Sequence, residues 1–248
     1  MPTNDRSHPA PAWIVLALLC LALASAAAVR NAAYRDEPGL WAETVRRSPG
    51  KQRTYHNAGC ALAKTGRYDD ALRAFDAALA LEPDGSVLLH FLHIERGNAY
   101  YHLGRYEDAI AAWRRALETS PGNPEVLTNT AVALVKLGRI EEARGPAAAA
   151  LAAPHPLPET HEVMGEIFLL RGEYRAAADQ LAAALKMRPD LVEAYLSAAL
   201  AYEKAGDPLS ASAMLRQYLA RATDAAGREK ARQLSERLGK SVDQRLPR

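Results

Sequence analysis

Histidine, cysteine and glutamate are the residues of this chain whose spacing could do chemistry. His90 and His93 stand three apart, a separation that puts two imidazoles on one helix face and could start a metal site. A tetrahedral site needs further donors, and no third ligand stands near them in the sequence, so no metal is expected. His161-Glu162 opens like a helical His-Glu-x-x-His zinc pair, but Val163, Met164 and Gly165 follow and the second histidine is missing. Cys20 and Cys60 are the only cysteines, too few for a disulfide framework or a cysteine-based zinc site. The sequence holds no glycine-rich phosphate loop, nucleophile elbow or paired-carboxylate arrangement. Neither catalysis nor a cofactor is expected, and no small-molecule substrate is indicated. What remains is electrostatic. Glu159, Glu162 and Glu166 recur at spacings of three and four, which places them on one face of a helix. With Glu193 they form an acidic stripe suited to a basic or amine-bearing segment.

The elements that must carry these residues follow from a repeat. Gly66-Arg67-Tyr68-Asp69-Asp70-Ala71 returns as Gly104-Arg105-Tyr106-Glu107-Asp108-Ala109, then at Gly138, Gly172 and Gly206 in looser form. The glycines are 38, 34, 34 and 34 residues apart. In each copy a helix of about fourteen residues runs to a glycine that can turn the chain with φ > 0. A second helix then starts on acidic residues and ends near Pro83, Pro121, Pro154 or Pro189. Composition agrees with all-α packing. The chain has 248 residues, 49% of them hydrophobic with much alanine, and only 3 Trp, 10 Tyr and 3 Phe. Its 31 basic and 29 acidic residues leave a net charge of +2 and are interleaved, so no nucleic-acid partner is expected.

On these residues the chain resembles the tetratricopeptide repeat (TPR) family. The first copy carries Tyr55, Gly59, Leu62, Ala71, Phe75, Ala78 and Pro83, and the second carries Gly97, Tyr100, Ala109, Trp113, Ala116 and Pro121. The third is degenerate, with Ala147 where a large residue is usual. The fourth has Gly165, Phe168, Ala177, Leu181 and Pro189, and the fifth Tyr195, Ala199, Tyr202, Ala211 and Leu215. The expected fold is an all-α TPR solenoid over 52–223, with five repeats, a leading half repeat within 30–51, a capping helix at 224–239 and a tail at 240–248. The resemblance implies a non-enzymatic scaffold that binds a protein or peptide along the concave face of its first helices. Carried onto this sequence, that face shows Arg53, His56, Asn57, Tyr101, Asn129, Glu159, Glu162, Glu166 and Glu193. Where chaperone-binding members place a carboxylate clamp, His56 and Cys60 stand here, which disfavours that partner. Three local expectations follow. The four extra residues between the first two glycines should extend a helix over 86–89, with Ser86 as its cap. Gly145-Pro146 should kink the second helix of the third copy. Tyr218, where a small residue would admit another repeat, should stop the array.

Ahead of the array, Ala12 to Val29 is eighteen residues without a charge, about 27 Å as a helix and enough for a bilayer core. A short polar segment, 1–11, precedes it. It reads as a single-pass anchor with Trp13 and Arg30 at the two interfaces, or as a cleavable signal with Ala24-Ser25-Ala26 at the cut. The anchor is favoured because the run stays apolar past the cut. Arg30, Arg35, Arg46 and Arg47 after the segment would put the array in the cytoplasm by charge count. The junction from Arg30 through Trp41 to Pro49 is similar to that of multi-span membrane glycosyltransferases of the protein O-mannosyl type, whose TPR tail is lumenal or periplasmic. An extracytoplasmic, periplasmic array is therefore the expectation. Two narrower roles stay open: an accessory subunit of a glycan-transfer or polysaccharide system, and an assembly factor resembling the TPR subunits of cytochrome c maturation.

Overall fold

The computed structural model describes residues 12–33, 37–81 and 86–243, and every element in them is a helix or a turn. The chain divides into two compact units, one up to Leu88 and one from Leu89 onward. The segments 1–11 and 244–248, and the side chains of Trp13, Arg30 and Ser86, lie outside the described residues, and with them the interface and capping roles expected of those three.

In the first unit, α1 (Ala12–Ala33) is a 22-residue helix, on which Leu16, Leu19, Leu21 and Leu23 are exposed. The span expected over 12–29 falls partly on side chains outside the described ones. Among the described residues no helix is long and apolar enough to cross a membrane. α2 (Glu37–Arg47) packs on α3 (Gln52–Lys64), and α3 on α4 (Tyr68–Leu79). The α3–α4 pair closes tightly because Gly59 has no side chain: a Cβ there would overlap the Phe75 ring, which is fully buried. At the far end of the pair, the buried Gln52 side-chain amide donates to the Ala78 carbonyl at 3.1 Å.

α5 (Ser86–His102) carries the chain into the second unit. It has 17 residues where α3 has 13, so the four extra residues are helix, as their closeness to one turn predicts. The unit continues through α6 (Tyr106–Thr119), α7 (Pro124–Lys136), α8 (Ile140–Leu151), α9 (Pro158–Leu170), α10 (Tyr174–Met187), α11 (Val192–Lys204), α12 (Pro208–Arg221) and α13 (Ala225–Asp243). Each helix pair meets at the same two positions, sixteen residues apart. Gly97 lies under Trp113, and Gly165 under Leu181, whose Cγ would sit 2.6 Å from an added Cβ. In the third pair both positions are alanine, Ala131 and Ala147, and both are fully buried. The missing large side chain is offset by a methyl on the opposite helix, so close packing survives the degeneracy. α8 runs from Ile140 to Leu151 with Pro146 inside it.

One turn recurs throughout. Gly66, Gly104, Gly138, Gly172 and Gly206 have φ of 73 to 81°. In the turn at Gly104, its amide reaches the Tyr101 carbonyl at 2.9 Å and the Arg105 amide reaches Tyr100 at 2.9 Å, the paired bonds of a Schellman cap. The residue after the glycine then anchors the next helix: Arg67 pairs with Asp70, Arg105 with Asp108 and Arg139 with Glu142. The array ends at α13, which buries Ala231, Leu234 and Leu238. Tyr218 is fully buried beside Gly227, and its hydroxyl donates to Asp224 Oδ1 at 3.3 Å.

Candidate partner-binding face

The first helix of each pair presents the residues expected on the binding face, and these fall into two groups, one in each unit. In the first unit Arg53 is exposed on α3, one turn before His56 and Asn57, which are half-buried. His56 Nδ1 lies 3.3 Å from Asn57 Oδ1, and His56 Nε2 lies 3.6 Å from Cys60 Sγ one turn further on. The His56 ring is tilted against Phe75 at 6.2 Å between centroids.

In the second unit, Tyr101 near the end of α5 packs in tilted geometry against Tyr106 at 5.4 Å and Trp113 at 6.1 Å between centroids. Its burial pushes the phenol's pKa up, Lys136 of α7 pulls it down and Glu166 of α9 pushes it up, so the first helices of three successive repeats meet electrostatically around it. A cleft of about 460 Å³ opens at the starts of α7 and α9, lined by Asn123, Pro124, Glu125, Thr128, Asn129, Leu157 and Glu159. Asn123 caps α7, its side-chain oxygen accepting from the amides of Glu125 and Val126 at 3.1 and 3.2 Å. Below it the buried hydroxyls of Thr128 and Thr160 lie 2.6 Å apart, and Thr128 donates to the Pro124 carbonyl at 2.7 Å. That bonding fixes the floor and leaves the Asn129 amide and two carboxylates at the rim.

The acidic stripe is real but not uniform. Glu159 forms an ion pair with Arg188, from the turn after α10. Glu162 sits deeper. Burial pushes its carboxyl above the usual range, Arg188 opposes this, and Glu159, Glu166 and Glu193 add to it. Glu166 and Glu193 are exposed. Glu203, near the end of α11, is engaged by Arg237 of α13 at 3.3 Å. Arg188 and Arg237 are the functional neighbours that helical spacing misses, because they lie 29 and 34 residues from the glutamates they meet. The histidine pair does not converge on a common ligand point. His90 Nδ1 is held at 3.0 Å from both the Ala116 carbonyl and the Thr119 hydroxyl, while His93 Nδ1 is buried without a hydrogen-bond partner. Among the described residues no group of three His, Cys, Asp or Glu side chains could hold a metal ion.

Helix pairs joined by one repeated glycine turn, with polar side chains along the first helices, define a helical-repeat scaffold. Tetratricopeptide repeat models match residues 52–84 and 163–229, and a TPR repeat model matches 97–143. The protein is a tetratricopeptide repeat protein. Among solved structures, a chain of the APC/C hetero-tetramer Cut9–Hcn1 superposes with a TM-score of 0.66 at 19% identity, covering 80% of this chain and 38% of that one. This chain therefore spans well under half of that relative's length. PilF of Pseudomonas aeruginosa gives a TM-score of 0.65 at 19% identity, covering 78% of this chain and 85% of its own. YrrB, a TPR protein with an unusual peptide-binding site, gives 0.60 at 21% identity, covering 78% and 97%. At these identities the likeness is one of fold. No curated protein matches the chain.

Proposed function

We propose that the protein is a non-enzymatic TPR scaffold, held at a membrane by the segment 12–29, that captures a protein or peptide on the extracytoplasmic, periplasmic side. The observation that carries the binding role is the acidic stripe of α9: Glu159 lines the Asn129 cleft, Glu162 and Glu166 follow it along the same helix, and Glu193 extends the stripe's field onto α11. Such a field on a low-dielectric wall concentrates an oppositely charged segment, so the partner segment is basic or amine-bearing. Peptide binding by YrrB, a neighbour in fold, is in keeping with this role. Anchoring is supported by the uncharged run and by the exposed leucines of α1, which no described element covers. The side of the membrane rests on the junction resemblance.

Replacing Glu159, Glu162 and Glu166 together by lysine should abolish capture of the partner from solubilised membranes while leaving helicity unchanged. Capture that persists with the same salt dependence would reduce the stripe to solvated surface. Resistance of the protein to carbonate extraction tests the anchor, and release of a soluble chain beginning near Ala27 would overturn it. Protease added to intact spheroplasts should degrade the array.

A further inference from the structure

Cys60, His56 and Asn57 form a cluster on the first repeat's part of the binding face whose mutual contacts peptide binding does not require. They share one face of α3, and their contacts run in one direction. Asn57 Oδ1 is an acceptor 3.3 Å from His56 Nδ1, so it places the ring proton on Nδ1. Nε2 is left as the basic nitrogen, and it faces Cys60 Sγ at 3.6 Å. Phe75 backs the imidazole and limits its rotation. Cys60 is half-buried and not in a disulfide. A thiol beside an oriented imidazole, with a third group fixing the tautomer, is the arrangement that activates a cysteine for nucleophilic attack. On helices packed against α3 in this unit, Glu43 is bound by Arg46 and Arg47, and Asp70 by Arg67 and Arg73. Lys64 follows Cys60 by one turn on the same helix.

We propose that Cys60 is a reactive thiol that undergoes exchange with small disulfides, with His56 as its base and Asn57 as the positioning residue. In the step, the Cys60 proton passes to His56 Nε2 and the thiolate attacks one sulfur of the disulfide. A new S–S bond forms on Cys60 as the reagent's S–S bond breaks. The departing sulfur takes the electron pair and then the proton held on His56, leaving as a thiol. Cys60 is oxidised to a mixed disulfide and the departing sulfur is reduced, so the exchange balances without another oxidant. The adduct would sit between His56 and Asn57 and obstruct the first repeat's part of the binding face. That consequence rests on the proposed function, whereas the reactivity does not.

The test reads reactivity alone, on the full chain with Cys20→Ser so that Cys60 is the only thiol. Its rate with dithiobis(nitrobenzoate) is followed by absorbance across pH, and the adduct is located by mass. The rate should rise with a midpoint below that of an ordinary cysteine, about 8.5. His56→Gln should return the midpoint to that value and slow the reaction near neutral pH about tenfold, with Asn57→Ala intermediate. Lys64→Gln should have the smallest effect. A midpoint at or above about 8.5 in the Cys20→Ser protein would overturn the proposal whether or not the histidine variant folds. So would a His56→Gln profile that matches its parent, or a shift removed entirely by Lys64→Gln.

Discussion

Gly97 and Trp113 offer a test of the pairing rule in which a single methyl should change sign. In the native chain a Cβ on Gly97 would overlap the indole of Trp113, which is buried to 1% exposure. Overpacking of this kind costs about 1–3 kcal/mol, and alanine recovers about 1 kcal/mol of helix propensity over glycine. Gly97→Ala should therefore lose about 1 kcal/mol net. Trp113→Ala alone should lose about 3–5 kcal/mol, since it vacates the site and leaves the Asn98 side-chain oxygen, now 3.2 Å from the indole nitrogen, without its donor. In that background the methyl on residue 97 meets empty space, and the same substitution should gain about 1 kcal/mol. The third repeat already holds this arrangement, with Ala131 and Ala147 both fully buried. The assay is a double-mutant cycle by urea unfolding, read alongside hydrogen exchange of α5 and α6, because repeat arrays need not unfold as one unit. The expected coupling is about 2 kcal/mol. If Gly97→Ala costs the same with and without the tryptophan, close approach at this position is not what the glycine provides.

Pro146→Ala should stabilise α8 by up to about 3 kcal/mol by restoring an amide donor inside the helix, seen as slower exchange of α8 relative to the native chain. Gly227→Ala should loosen α13 by about 1–3 kcal/mol, because its Cβ would overlap the Tyr218 hydroxyl, and protease cleavage near Thr223 should accelerate. Glu162→Gln should raise the melting temperature at neutral pH. Burial holds this carboxyl above its usual 4.5, so the folded chain binds the proton more tightly than the unfolded chain. The stability tied to that proton is present below 4.5 and lost as pH rises through the raised value, so the variant's advantage should vanish in acid. An advantage that does not depend on pH would locate the effect in packing.

The array was legible because its signals are local. A glycine at φ of 73 to 81° leaves a mark in the sequence, as do Arg105 and Asp108 three residues apart, and four added residues read as one turn because helical phase survives them. The apolar face of α13 was legible at Ala231, Leu234 and Leu238 for the same reason. Helical spacing also placed Glu159, Glu162 and Glu166 together. It could not show that Arg188 neutralises the first of them or that Arg237 engages Glu203, since those partners come from a turn and from the capping helix. His56 and Cys60 were visible as neighbours one turn apart, but the bond that fixes the imidazole depends on the rotamer of Asn57, which spacing does not report.

Tyr218 has a consequence for how such a chain can grow. Internal copies share the same turn and the same sixteen-residue pairing, so duplication of a 34-residue stretch between Gly138 and Gly206 inserts a unit whose edges already fit its neighbours. After residue 223 that is not so. The face where another first helix would dock is covered by α13, which meets Tyr218 where internal repeats have a small residue and makes room for its hydroxyl with Gly227, while that hydroxyl donates to Asp224. The array therefore has a terminator rather than a count: its length can change by duplication in the middle, while the end stays the same.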